Sequence, residues 1–516
     1  MKKLVTILMA VAMVLALSLT AFAANTQLSI SNSDGRTYEG FKLLNLTTSL
    51  KTDGHPAECD GTNHVDGCYN YSYTVNEKYA DILKAQVPGD NVTDEQVLEF
   101  FEGLNNETLR PVADSIYRAI VAAGNITADE PALTGNNDEI EQGYWLFADV
   151  TNLENKEEAN SLVMVDTAGQ ERVEINPKTD LPTIEKKVKD IADSEDAEIL
   201  DNAWQDSADH DINDDVFFKL TATLPENLES FETYEIVFHD TMSAGLTLND
   251  GMKVYMYNSK ADADADVEMD SYAKDVTANF TTDAKEHADC TFEVGCDDVK
   301  AIEGVTKDTV FVVYYSAKLN ENAVIGAQGN PNEVYLEFSN DAYSDSTGET
   351  KKDKVIVFTY ELIINKTDAA GTALPGAGFT LYKFDAEQNQ YVIVGAEVKG
   401  DAMTTFNWVG IDDGMYKLEE TTVPAGYNKM ADIEFTVTAT HDELSDTPAL
   451  TELTSTLGVA DTNAGTITDS VINQTGTVLP ETGAKGTLLL IGGGALLVMF
   501  AAIFMITRKK MSVYED

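Results

Sequence analysis

The chain has 516 residues, more than one hydrophobic core serves, so roughly two to four domains are expected. It holds 35 Lys and Arg against 88 Asp and Glu, a formal net charge of −53. Such a field repels phosphate backbones, which excludes nucleic acid as a partner and suits a solvated, outward-facing surface.

The first residues read MKKLVTILMAVAMVLALSLTAFA. Lys2 and Lys3 make a positive start, an apolar stretch follows, and Ala21-Phe22-Ala23 is an A-x-A cleavage site, so residues 1–23 are expected to be a secretory signal peptide. Helix signals are confined to the first third. In "TDEQVLEFFEGL", Thr93 and Gln96 form a capping box, and Val97, Phe100, Phe101 and Leu104 share one side. Trp145 and Phe147 of "EQGYWLFADV" read as core.

The four cysteines fall into local pairs, Cys59/Cys68 and Cys290/Cys296, and local disulfides are the default in a secreted chain. His55 and His64 alternate with the first pair, which also permits a zinc site, but that polar loop offers no visible second shell. "ADADADVEMD" resembles a calcium loop only superficially. Val267 stands where an EF-hand needs Gly, so a solvated acidic loop is expected and no metal is assigned.

Between its two ends the chain reads mostly as strands. "DVFFKLTATLP", "TYEIVFHD", "DTVFVVYYSAKL", "NEVYLEFSN", "KVIVFTYELIINK" and "ADIEFTVTAT" are rich in Val, Ile, Phe, Tyr and Thr and end near turn formers. Short strands at this spacing predict antiparallel β-sandwiches. Polar breaks at "NPKTDLPT", "DAYSDSTGETKKDK" and "NQTGTVLPETGAKG" divide the chain into residues 24–178, 179–353, 354–476 and 477–516. In the last of these, the run 486–507 is uncharged and long enough to span a bilayer. Arg508, Lys509 and Lys510 follow it, which orients everything upstream outward.

Period-two alternation brings polar groups onto apolar faces. Lys186 shares a strand face with Ile184 and Val188, and Lys187 turns outward. Asp240 ends an apolar strand, and Asn332 shares a face with Val334, Leu336 and Phe338. A lysine on a core face is costly unless paired or neutral. Further on, Tyr416, Leu418 and Glu420 alternate, which turns Glu419 out.

The sequence Leu479-Pro480-Glu481-Thr482-Gly483, followed by an apolar span and a basic tail, resembles the sorting signal of Gram-positive surface proteins. The resemblance implies a sortase that cuts between Thr482 and Gly483 and passes the Thr482 carbonyl to an amine. "VEINPKTDLPTIEKKV" resembles the pilin motif of sortase-assembled shaft subunits and implies Lys178 as that amine, although Asn176 stands where an aromatic often precedes the Pro. A nucleophilic lysine must be reachable and able to lose its proton. The residues of the middle segment resemble the isopeptide-forming domains of pilins and collagen-binding adhesins, which implies a Lys186–Asn332 bond with Asp240 as proton shuttle. "IINKTDAAGTALPGAGFTLYKFD" and "YKLEETTVPAGY" resemble the collagen-adhesin B-type domain and imply Lys366, Glu420 and Asn473 in the same roles.

Taken together, the expected fold is mainly β: tandem immunoglobulin-like sandwiches of collagen-adhesin type behind an N-terminal domain with some helix. The expected function is a structural pilus shaft subunit on the cell surface, with no cofactor. The resemblance implies sortase, further copies of the chain, accessory pilins, cell-wall peptidoglycan and host surface molecules as partners. The alternative is a monomeric wall-anchored adhesin or accessory pilin, which would share the sorting signal but not use Lys178. An enzyme is disfavoured, since none of the six His lies beside a Ser or Cys in a nucleophile motif.

Overall fold

The computed structural model describes residues 25–51, 69–154, 156–176, 181–190, 204–265, 274–282, 290–386 and 388–476. The leader, Cys59, Cys68, Lys178 and the sorting signal with its apolar span lie outside these residues. Among the described residues no helix is long and apolar enough to cross a membrane.

The chain is mainly β, in successive two-sheet units. In the first unit, Asn25–Ile30 pairs antiparallel with Asn136–Glu141 and parallel with Arg172–Ile175. A second sheet is built on Tyr38–Leu50 and Gly143–Asp149. The capped helix forms as read, over Asp94–Glu102. The Thr93 side chain accepts from the Gln96 N–H, and the Gln96 side chain accepts from the Thr93 N–H. Its Val97 and Phe101 join Ile116 and Ile120 of the helix Asn106–Ala123 in one apolar cluster. Trp145 and Phe147 are buried and stacked, 5.6 Å between ring centres.

In the middle unit two sheets face each other across a single large core. One carries Ile184–Lys189, Asp215–Thr223 and Val310–Leu319 side by side; the other carries Asp353–Phe358, Asn330–Ser339, Ile236–Met242 and Phe292–Cys296. Asn330–Ser339 buries every second residue, the pattern expected of a strand with one face on a core. In the third unit, Tyr360–Asp368 lies between Thr405–Ile411 and the final strand Thr466–Asn473, which it pairs in parallel. The facing sheet includes Gly378–Asp385 and Gly414–Thr422. First and last strands of this unit are therefore neighbours.

Three expectations change. The boundary expected at residue 353 moves to the far side of Phe358, because Asp353–Phe358 pairs with Asn330–Ser339 and completes the middle sheet. The Cys290/Cys296 disulfide does not form, and both side chains are buried thiols. Phe292–Cys296 is an extended strand, at about 3.3 Å per residue, and it carries the two sulfurs beyond bonding reach. The acidic stretch begins not as a loop but as a short helix, Lys260–Ala265, with Ala263 buried.

The units meet through specific polar contacts. Buried Asp114 of the helix Asn106–Ala123 accepts hydrogen bonds from Ser230 Oγ (2.7 Å) and Tyr343 Oη (2.5 Å) of the middle unit. At the next joint, Lys383 Nζ lies 2.7 Å from Asp211 Oδ2 and 3.2 Å from Asp412 Oδ2. Asp211 Oδ1 also accepts from the Asp412 N–H, and the Ile212 N–H donates to the Gly410 carbonyl. Gly326 and Gly465 allow the backbones to touch, since a Cβ on Gly465 would lie 2.3 Å from the Gly326 Cα. Removing one partner of such a buried pair costs on the order of 3 kcal/mol. Asp211→Ala is thus expected to leave both sandwiches folded and to speed amide exchange at Ile212 by up to about 100-fold. Unchanged protection at Ile212 would show that the pair does not hold the joint.

Candidate functional site

The middle core contains a polar cluster within an apolar shell. Lys186 reaches from one sheet to Asp240 and Asn332 on the other, and all three are fully buried. Asp240 is paired in register with Val334, which sets Asn332 two residues along on the adjacent strand and on the same face. Lys186 Nζ donates to Asn332 Oδ1 at 2.7 Å and to Asp240 Oδ2. Alternation also places Lys187 on the outside, where its Nζ lies 2.6 Å from Asp206 Oδ1.

A fourth member, Tyr315, was not anticipated. Its hydroxyl accepts from Lys186 Nζ (2.9 Å) and Asn332 Nδ2 (2.8 Å), and donates to Asp240 Oδ2 (2.8 Å). Phe218 stacks on its ring at 5.2 Å, and Phe292 packs edge-on at 4.9 Å. Desolvation in this apolar shell lowers the Lys186 pKa and raises that of Asp240, each against the opposing pull of its partner's charge. Burial likewise holds the Tyr315 phenol well above its ordinary value.

The third unit repeats the arrangement with a looser lysine. Lys366, Glu420 and Asn473 are buried together, Lys366 and Asn473 on the adjacent first and last strands and Glu420 on the facing sheet. Asn473 Nδ2 donates to Glu420 Oε1 at 2.8 Å, and the Met430 N–H donates to Glu420 Oε2 at 2.9 Å. The Asn473 carbonyl oxygen is buried without a hydrogen-bond partner. Lys366 Nζ donates to the Val471 carbonyl at 3.0 Å, and its strand partner Val471 is two residues from Asn473. Burial lowers the Lys366 pKa, opposed by the Glu420 charge. Glu419 faces outward as expected, with Lys429 Nζ at 2.7 Å.

Both clusters can therefore do one piece of chemistry. A desolvated amine lies against or near a carboxamide, which the Tyr315 hydroxyl holds in the middle unit and the Glu420 carboxyl group holds in the third. Lys178 and residues 479–483 lie outside the described residues, and nothing structural is added for them.

Residues 360–448 match the prealbumin-like fold domain, and residues 472–512 match the LPXTG cell wall anchor motif. The chain is a cell-wall-anchored surface protein. It is similar to the trypsin-resistant surface T6 protein of Streptococcus pyogenes serotype M6, with 25% identity over 272 residues; the match covers 49% of this chain and 44% of that protein. The chain thus spans less than half the length of that relative. The solved T6 backbone pilin, described as a modular three-domain structure with variable loops and extensions, superposes with a TM-score of 0.50 at 16% identity, covering 88% of this chain and 99% of that one. The likeness establishes the fold. BcpA, the major pilin subunit of Bacillus cereus, is similar at 15% identity and a TM-score of 0.40, covering 88% of this chain and all of that one.

Proposed function

We propose that this chain is the major shaft subunit of a covalent, sortase-assembled pilus. Thr482 of each subunit is joined to Lys178 of the next, a head-to-tail contact that does not close and so builds a fibre. The signal peptide and the C-terminal span are removed on the way. Two self-formed isopeptide bonds, Lys186–Asn332 and Lys366–Asn473, stiffen the fibre, and the chain acts as a substrate of sortase rather than as an enzyme.

The observation that carries the reading is the Lys186 amine held 2.7 Å from the Asn332 carboxamide oxygen in a dry core, in a chain that also bears the anchor motif. The neutral amine attacks the Asn332 carboxamide carbon. A new N–C bond forms, the bond to Nδ2 breaks, and ammonia leaves. Protonated Asp240 gives its proton to the departing nitrogen and takes up the proton lost by the amine, ending as it began. Likeness to the T6 backbone pilin supports the pilus setting. Mass spectrometry of digested native fibres is the test: a branched peptide joining Thr482 to Lys178 is expected, and recovery of Arg508–Lys510 in mature fibres would overturn the sorting step.

Tyr315 orients both reactants in this scheme. Tyr315→Phe keeps the ring contacts and deletes three hydrogen bonds. Losing one such bond costs roughly 1.5 kcal/mol, so bond formation is expected to slow about tenfold or more. Freshly purified variant should then contain a fraction at the uncross-linked mass that declines with time. Wild-type kinetics would leave Tyr315 a packing residue only.

A further inference from the structure

The strand that turns Asp240 into the core turns its neighbour His239 to the other face of the sheet, where the imidazole is nevertheless buried. His239 stacks on Tyr335 of one adjacent strand, 4.5 Å between ring centres and 6° from parallel. On the other adjacent strand its partner in register is Glu293. Cys290, three residues before Glu293, brings a buried thiol to the same place. His239 Nδ1 lies 3.3 Å from Glu293 Oε1, and Cys290 Sγ lies 3.3 Å from that same oxygen. The three ligand atoms fall within 4.8 Å of one another.

We propose that His239, Cys290 and Glu293 form a binding site for a borderline-soft divalent cation of the zinc class, on the outer face of the middle sandwich. Two of the three edges have the spacing of a tetrahedral face. With metal bonds of about 2.0 Å to N and O and about 2.3 Å to S, tetrahedral edges are roughly 3.3 Å for N···O and 3.5 Å for S···O. The His239–Glu293 and Cys290–Glu293 edges, 3.3 Å each, match these within a few tenths of an ångström. The other ring nitrogen, Nε2, lies 3.0 Å from Glu337 Oε2. A carboxylate there holds the proton on Nε2 and leaves the Nδ1 lone pair facing Cys290 and Glu293, the arrangement that orients metal-bound imidazoles. One thiolate and one carboxylate neutralise the ion, the thiol proton passes to solvent, and water completes the fourth position. The partly exposed Glu293 and Glu337 side chains give the ion an entry path. Bound there, a cation would clamp the Asp240 strand to the strand Phe292–Cys296.

The test is a cobalt(II) titration of the full chain, purified in detergent, reduced with a phosphine and freed of metal. Cys59→Ser and Cys68→Ser are introduced first, so that the His55–Cys68 segment cannot supply a thiolate. One equivalent of cobalt should give visible bands of tetrahedral intensity together with near-ultraviolet sulfur-to-cobalt charge transfer. Cys290→Ser should abolish the charge-transfer band. Glu337→Gln, which leaves all three ligands in place, should weaken affinity 10–100-fold. Zinc should raise the melting midpoint of the parent and not of Cys290→Ser. Absence of the charge-transfer band from the parent, its survival in Cys290→Ser, or unaltered affinity in Glu337→Gln would each overturn the proposal.

Discussion

Replacing Lys178 by alanine is expected to abolish the high-mass ladder that a covalent fibre gives on denaturing gels, while the monomer still folds and reaches the surface. The expectation follows from where the change falls. In sequence, Lys178 falls between the strand Arg172–Ile175 and the strand Ile184–Lys189, and the change leaves every residue of the two described clusters in place. Both Lys/acid/Asn clusters keep all their members, so folding and internal cross-linking are expected to be untouched. What disappears is the one amine that the reading assigns as acceptor, and with it the nucleophile that resolves the acyl-enzyme at Thr482. Water or a cell-wall amine can still resolve that intermediate, so single subunits should remain wall-linked. Immunoblots of wall extracts check this. A ladder that survives in Lys178→Ala moves the acceptor to another lysine. Lack of a ladder in the wild type favours the alternative, a monomeric wall-anchored adhesin.

Alternation made much of the internal chemistry legible. Lys186 rather than Lys187, and Glu420 rather than Glu419, follow from the two-residue period of a strand with one face on a core, and the structure fully buries the first of each pair and turns the second outward, half-buried. Tyr315 obeys the same rule, alternating with Phe311 and Val313. It escaped because a tyrosine in a Val-rich strand reads as packing, and its hydroxyl gains meaning only once another sheet supplies partners. The Cys290/Cys296 spacing reads as a local disulfide, yet pairing of Phe292–Cys296 with Ile236–Met242 straightens that segment. The boundary near residue 353 was misplaced for a related reason. Lys354–Lys366 reads as one strand-forming run, and nothing local shows that its first half pairs backward into the middle sheet while its second half opens the next. Contacts such as Asp211 with Lys383 depend on how two sandwiches stack, which no strand period encodes.

The last expected result concerns mass. The wild-type chain should weigh less than its sequence by two ammonias, one for each isopeptide bond, with no enzyme added. Folding alone creates the buried pockets that favour a neutral lysine and, in the middle one, a protonated Asp240. Glu420→Ala should restore one ammonia, because it removes the proton shuttle and leaves Lys366 and Asn473 in place but unjoined. Asp240→Ala should do the same for Lys186 and Asn332, and the double variant should match the sequence mass. Stability should fall as well. The Lys366–Asn473 link ties the first strand of its sandwich to the last, and closing a loop of that length is worth on the order of 5 kcal/mol if the chain-entropy treatment of disulfides transfers. Under tension the effect is larger in kind. Parallel strands joined at their ends carry load through a covalent bond, whereas unjoined ones part hydrogen bond by hydrogen bond. Loss of stability alone cannot assign the role, because an unlinked lysine stranded in the middle core destabilises by several kcal/mol by itself. Mass separates the two effects. A folded but heat-sensitive Asp240→Ala protein that still lacks both ammonias would show that Asp240 pairs with Lys186 without shuttling its proton. A wild-type mass equal to that of the sequence would remove both cross-links and leave the sorting reaction to account for the fibre unaided.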